Sequence, residues 1–207
     1  MLFAFCSCGG TSRSSTSTPG MSSGAGVPAS QENPATADKI CNCISNDPAS
    51  SDYRHNAKHS AVPVGAAPQE ISVNDIISWG FDAEPAFDAP RSGRELQLFH
   101  VPQAFVQFVW LVPNDCDVHM EISATSDKGA PRVIVETPVD GSFCATRQAL
   151  VSGFARYGVM ISVNGFETAQ GIPVDVLGLA FRDFVHSRGT TFVNTPWELH
   201  PAIVTVK

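Results

Sequence analysis

One segment limits the folds open to this chain more than any other: residues 95–112, ELQLFHVPQAFVQFVWLV. Its Phe, Val, Leu and Trp residues favour β-structure, because bulky and branched side chains pack well on a pleated surface. Pro102 is its only interruption, and a proline within a strand marks a bend, a bulge or an edge. We therefore predict one long, bent or bulged strand that runs across both halves of a small barrel.

Two further segments extend the β-structure. Residues 117–124, DVHMEISA, alternate strictly between polar and apolar side chains, which is the period of a half-buried antiparallel strand. A turn at residues 126–129 then leads to RVIVET at residues 132–137, which predicts a third strand. The three strands should form a meander.

The second half of the chain changes its period and then returns to strands. In residues 144–156 apolar side chains recur at spacings of three and four, which predicts a helix despite Gly153. Residues 174–181 and 197–206 supply the last two strands. The order strand, strand, strand, helix, strand, strand predicts a mainly β protein, a five-stranded OB-like Greek-key barrel. A β-sandwich is the main competing fold, but it needs seven or more strands.

The N-terminal part differs in composition. Residues 9–36 consist largely of Gly, Ser, Thr, Pro and Ala, and such a segment buries too little apolar surface to fold. His55 and His59 lie among Asp, Ser and Asn residues, which favours a solvated loop over a metal site. One or two helical turns are expected after Ser72, a candidate N-cap. We predict a targeting start and flexible tether at residues 1–36, an extended, disordered linker at 37–70 and the barrel domain at 71–207.

The first ten residues, MLFAFCSCGG, bear on localisation. A short apolar stretch followed by cysteine and a Gly/Ser-rich segment is typical of bacterial lipoprotein precursors, although an ordinary N-terminus is the alternative. Cys8 follows a small residue and suits lipidation better than Cys6. The lipoprotein interpretation predicts export to the periplasm, the envelope or the extracellular space. Oxidising compartments allow disulfides, and we expect one between Cys116 and Cys144, with two buried thiols as the alternative.

The charge of the chain restricts its partners. The net charge is −7, and residues 71–207 contain fifteen acidic and nine basic residues. Binding of phosphates requires clustered Lys and Arg, whereas the basic residues here are scattered singly. Nucleic acids and anionic membrane surfaces are therefore disfavoured. The chain has no run of about 18 apolar residues, so no membrane span is predicted.

Three fragments carry a resemblance to known proteins. They are NDCDVHME at residues 114–121, VIVETP at 133–138, and LAFRDFVH at 179–186 together with WELHP at 197–201. They resemble a family of bacterial, mostly secreted OB-like domains, which carry Asp-x-Asp-x-His-Leu, a Gly-Phe-Phe-Asp-Phe-x-His run and Glu-Leu-His-Pro-Val. Here Arg182 replaces one aromatic residue and Ala202 replaces the final Val. The resemblance covers residues 72–207 and implies an exported OB-like domain without an assigned reaction.

Acidic residues and histidines near two of these fragments are candidates for a ligand or metal site. Alternate residues of a strand lie about 7 Å apart and point to the same face. Asp117, His119 and Glu121 therefore form one group. Carboxylates and imidazoles bind divalent metals, or act as a general base held by a carboxylate. The alternative is a solvated barrel face with hydrogen bonds that pin the loop around residue 186 to the last strand. The candidates are Asp117, His119, Glu121, Glu136, Asp183, His186, Glu198 and His200.

Two functions are compatible with this sequence. The first is an exported, non-enzymatic binding module that recognises an extracellular ligand or protein through the outer face of its first three strands. The second is a metal-dependent hydrolase, similar to a phosphodiesterase or nuclease, in which His119, Glu121, Glu136 and His200 converge within about 5 Å of a common point. A divalent metal ion is the only cofactor that these residues suggest.

Overall fold

The computed structural model of the protein describes residues 52–185 and 190–207. Short 3₁₀ turns at Gly93–Leu96 and Gly141–Phe143 accompany the helices and strands of these residues. In chain order the elements are α1 His55–Lys58, β1 Gln69–Glu70, α2 Val73–Ser78, β2 Leu98–Leu111, β3 Val118–Ser123, β4 Arg132–Thr137, α3 Cys144–Ala155, β5 Phe166–Arg182 and β6 Val193–Val206.

Strands β2 to β6 close into a five-stranded barrel. Their order is β2-β3-β4-β6-β5, and β5 pairs back onto β2. β4 and β6 are parallel, whereas the other pairs around the barrel are antiparallel. The helix α3 lies between the third and fourth barrel strands in the chain. The prediction of an OB-like barrel with one helix in this place is confirmed.

The long strand β2 is bent, as its sequence predicts. Its register against β5 shifts between Val101 and Ala104, which flank Pro102, and again between Val106 and Phe108. Such shifts bend a strand and increase its local twist. Because of them, β2 pairs with β5 along most of its length and with β3 over its second half. This double pairing closes the barrel.

Helices α2 and α3 both add to the core of the barrel. α2 begins with the predicted cap, since Ser72 Oγ accepts a hydrogen bond from the Asp75 N–H at 3.2 Å. Ile76 of this helix is fully buried. Leu150 and Phe154 of α3 are fully buried in the same core. None of the described helices is long and apolar enough to cross a membrane.

Gly153 allows α3 to lie close to the last strand. A Cβ at this position would lie 2.7 Å from the Cβ of Val206. Alanine would gain about 0.8–1 kcal/mol of helix propensity, but overpacking costs about 1–3 kcal/mol. We expect Gly153→Ala to lower the free energy of unfolding by up to about 2 kcal/mol in urea titrations. Ser152→Ala, on the exposed side of α3, should change it by less than about 0.5 kcal/mol. A more stable Gly153→Ala protein would contradict this packing.

The domain begins well before residue 71. Tyr53, Arg54 and Ala57 are buried, and α1 and β1 lie within the predicted linker. The prediction of a disordered linker is therefore wrong for residues 52–70. The charged side chain of Arg54 is buried in this segment. A charged residue does not contribute to an apolar pattern, so the sequence does not indicate this burial. The predictions for residues 1–51, including lipidation at Cys8 or Cys6, lie outside the described residues.

The last two strands are longer than predicted. β5 begins at Phe166 rather than at residue 174, and β6 begins at Val193 rather than at residue 197. Four of the first six residues of β5, FETAQG, are exposed, and Phe166 and Glu167 pair with Val109 and Phe108 of β2. An apolar pattern therefore does not mark them as a strand.

Cys116 and Cys144 do not form the predicted disulfide. Cys144 carries a thiol at the start of α3, where its Sγ lies 4.0 Å from the carbonyl oxygen of Asp140. Cys116 lies in the turn before β3, with a left-handed backbone angle φ of 64°. Because Cys144 carries a thiol, the prediction of this pair is wrong.

Candidate functional site

The polar residues of β3, β4 and β6 lie on the outer face of the barrel. In β3 the side chains of Val118, Met120 and Ile122 fill the core, so the residues between them face outwards. The register places Glu136 of β4 opposite His119 of β3. We call the residues that share this region the outer-face cluster: Asp117, His119, Glu121, Glu136, Glu198 and His200.

The outer-face cluster is buried. Exposure of its members ranges from 0% for Asp117 and His200 to 7% for Glu136. Two parts of the chain cover it. His59 Nε2 lies 3.8 Å from Asp117 Oδ2, and the N–H of Thr190 donates to Glu121 Oε1 at 2.7 Å. The interpretation of these residues as a solvated face is therefore wrong.

Glu136 connects the two histidines of the cluster. Its Oε1 lies 2.7 Å from Nδ1 of His119, and its Oε2 lies 2.8 Å from Nδ1 of His200. On its other side, His200 places Nε2 3.1 Å from Asp117 Oδ2. The result is a continuous row of alternating imidazoles and carboxylates from His119 to Asp117.

This alternation determines the charges of the cluster. Burial lowers the pKa of His119, but its contacts with the carboxylates of Glu121 and Glu136 outweigh this effect and raise the pKa to about 9. Burial also opposes the charged form of His200, whose pKa is nevertheless raised by Asp117 and Glu136. Burial works against ionisation of Glu136, but the two histidines hold its pKa well below the usual value. The cluster is thus a set of paired charges.

Arg132 lies beside the cluster but its charge is already compensated. Its Nη1 donates to Glu121 Oε2 at 3.0 Å and to Glu167 Oε1 at 2.9 Å. Its side chain is 1% exposed. Arg132 therefore neutralises two carboxylates.

The candidate Asp183 is not a member of the outer-face cluster. Asp183 is buried at the end of β5, where its N–H donates to the Pro196 carbonyl at 3.1 Å. Burial lowers the pKa of Lys58, but negative charges that include Glu136 and Asp183 outweigh this effect and raise the pKa. His186 lies outside the described residues.

His59 also lies at this site, although its sequence context predicts a solvated loop. Its side chain is 7% exposed, and its Nδ1 lies 2.7 Å from Asp140 Oδ2. The prediction of a solvated loop at this position is wrong, because residues 52–60 pack on the barrel. The polar residues around His59 are typical of a solvated loop. The position of α1 places His59 beside Asp117.

A cavity of about 670 Å³ opens next to the outer-face cluster. The ring of Tyr53 lies at its wall, edge-on to Phe87 and Phe184 with centroids 5.8 and 5.0 Å away. Burial and the charges of Asp117 and Glu136 raise the pKa of Asp115 to about 7. The polar residues that line the cavity are Asp52, Lys58, Glu84, Asn114 and Asp115.

Within the described part of the chain, two groups of three residues have the spacing of metal ligands. They are His59 with Asp117 and His200, and Glu136 with Glu198 and His200. In each group one ligand atom of every residue lies within 4.8 Å of the others. Residues from both ends of the domain therefore converge.

Comparisons with protein-family models, curated proteins and solved structures found no match to this chain.

Proposed function

We propose that the protein is an exported binding module that takes a small organic cation into the cavity beside the outer-face cluster. The observation that carries this proposal is the lining of the cavity, which combines three aromatic rings with three carboxylates. Pockets with an apolar wall and a few convergent polar groups are typical ligand sites. The resemblance to secreted OB-like domains supports the export.

The lining favours a positive charge on the ligand. The faces of aromatic rings attract cations, and Tyr53, Phe87 and Phe184 supply three such rings. Among the described lining residues, Asp52, Glu84 and the partly ionised Asp115, whose pKa burial and Asp117 raise to about 7, outnumber the single cationic group, Lys58. The ammonium of Lys58 is itself directed to an aromatic ring, since its Nζ lies 5.6 Å from the centroid of Phe181. The net charge of −7 attracts cations at long range as well.

Choline and its uncharged isostere, 3,3-dimethylbutan-1-ol, test the proposal. We expect choline to bind about tenfold more tightly, since a desolvated cation–π contact contributes about 1–2 kcal/mol. Phe87→Ala removes one ring from a residue that is 54% exposed, so it should weaken choline binding without unfolding the protein. Phe81→Ala is the matched control, because Phe81 is exposed and does not line the cavity.

Chemical-shift perturbation of the labelled protein measures the binding of both ligands to the wild type and to both variants. Equal binding of choline and its isostere would show that the positive charge is not recognised. Loss of binding in Phe81→Ala but not in Phe87→Ala would place the site elsewhere. Either result would overturn the proposal.

One observation favours the second candidate, a metal-dependent hydrolase. Glu136, Glu198 and His200 each place one ligand atom within 4.8 Å of the others, as a metal site would require. Against it, the cluster is buried and the nearby guanidinium of Arg132 is held by carboxylates rather than directed to a substrate. Hydrolysis of bis(4-nitrophenyl) phosphate with added Zn²⁺ separates the candidates. We expect no turnover above that of His119→Ala, whereas a clear difference would favour the hydrolase.

A further inference from the structure

The structure also points to a metal centre, and we propose that His59, Asp117 and His200 bind one divalent transition-metal ion, with Zn²⁺ as the best match. The three residues come from the C-cap of α1, from the turn before β3 and from β6. One ligand atom of each lies within 4.8 Å of the other two. The inference is independent of what the cavity binds.

The distances suit a first coordination shell. Asp117 Oδ2 lies 3.8 Å from Nε2 of His59 and 3.1 Å from Nε2 of His200. In a tetrahedral zinc site with bonds of about 2.0–2.1 Å, neighbouring ligand atoms lie about 3.3 Å apart. Small side-chain movements would therefore bring the three atoms onto one ion.

Two of these atoms lack a hydrogen bond. Asp117 Oδ2 and His200 Nε2 are fully buried, and their 3.1 Å contact is not aligned as a hydrogen bond. The other carboxylate oxygen of Asp117 accepts the Val139 N–H at 3.0 Å, which fixes the direction of Oδ2. A buried polar atom without a partner is costly, and a cation between these atoms would satisfy them.

The outer contacts of the histidines match those of metal ligands. Nδ1 of His59 lies 2.7 Å from Asp140 Oδ2, and Nδ1 of His200 lies 2.8 Å from Glu136 Oε2. A carboxylate on the far nitrogen orients a ligating imidazole and increases its basicity. In both residues it is therefore Nε2 that faces Asp117, as the site requires.

The donor set determines the class of metal. Two imidazoles and one carboxylate suit Zn²⁺ and its neighbours in the first transition row, whereas Ca²⁺ and Mg²⁺ prefer oxygen ligands. The second group, Glu136, Glu198 and His200, is less suitable because Glu136 already bridges two histidines. An ion at His59 would join α1 to the barrel strands.

Cobalt spectroscopy on the untagged full chain tests the site. After chelator treatment, titration with Co²⁺ should give visible d–d absorption that saturates at one ion per chain and disappears on addition of Zn²⁺. His59→Ala should weaken Co²⁺ binding at least about tenfold, and so should Asp140→Asn, because loss of an outer carboxylate weakens metal affinity by about 10–100-fold. His100→Ala should bind as the wild type does, since His100 contacts Glu70 and Asp175 instead.

Three results would overturn the inference. One is a wild-type protein without d–d absorption at saturating Co²⁺. Another is equal Co²⁺ affinity of the wild type and His59→Ala, with circular dichroism confirming that both are folded. The third is a sulfur-to-cobalt charge-transfer band, which would place the ion on the cysteines. His59 is the chosen ligand because it lies outside the barrel strands, so its loss should leave the barrel intact.

Discussion

Replacement of Arg54 by alanine is expected to lower the free energy of unfolding by about 3–5 kcal/mol, because it leaves a buried carboxylate without its cation. The side chain of Arg54 is fully enclosed. Its Nη1 and Nη2 donate to the two oxygens of Glu95 at 2.6 and 2.7 Å, a bidentate pair. The side chain of Glu95 is itself only 3% exposed.

The same guanidinium also satisfies three backbone carbonyls. It donates to Ala89 at 2.9 Å and to Pro90 and Arg182 at 3.1 Å. These contacts join residue 54 to the loop before β2 and to the end of β5. Burial raises the pKa of Glu95, but the hydrogen bonds from Arg54 outweigh it and the net pKa is lowered. In Arg54→Ala, Glu95 would therefore face burial without this compensation.

Urea unfolding followed by tryptophan fluorescence measures the effect of Arg54→Ala. Lys128→Ala is the matched control, since Lys128 pairs with Glu167 at 3.2 Å while 46% exposed, and a surface pair contributes about 0–1 kcal/mol. The double variant Arg54→Met/Glu95→Leu should lose less stability than the two single variants together. A loss below about 1 kcal/mol in Arg54→Ala would show that residues 52–60 do not anchor to the barrel.

The barrel is predictable from the sequence because its signals are local. Strict alternation in residues 117–124, and the segment RVIVET at 132–137 after a turn, locate β3 and β4 within one residue of their observed ends. The period change at residue 144 locates α3 in the same way. The start of β5 at Phe166 is not predictable, because its first residues, FETAQG, have no alternating apolar pattern. Their strand conformation depends on pairing with β2.

The site is predictable only in part. His119, Glu121 and Glu136 share a face through strand period and register alone, so the sequence identifies them together. His59 joins them because α1 is held on the barrel by contacts such as the hydrogen bond from buried Arg54 to the Arg182 carbonyl. Arginine is rarely buried, so a sequence gives no reason to place residue 54 inside. The segment that covers the site therefore has the composition of a linker.

The second large effect is expected for Glu136→Gln, which should lower the free energy of unfolding by about 3 kcal/mol. Glu136 offers one oxygen to each of two buried imidazoles, at 2.7 and 2.8 Å. Glutamine keeps the shape but has one acceptor oxygen, and its NH₂ group would face the N–H of the second imidazole. One histidine of the pair would then lose its acceptor and meet a donor.

Unfolding of Glu136→Gln should be measured in excess EDTA, so that only contacts within the protein contribute. Glu167→Gln is the control, since Glu167 is 44% exposed and its loss should change stability by about 1 kcal/mol or less. A small effect of Glu136→Gln, similar to that of Glu167→Gln, would mean that His119 and His200 do not depend on a shared anion. The paired charges of the cluster would then not hold the outer face together.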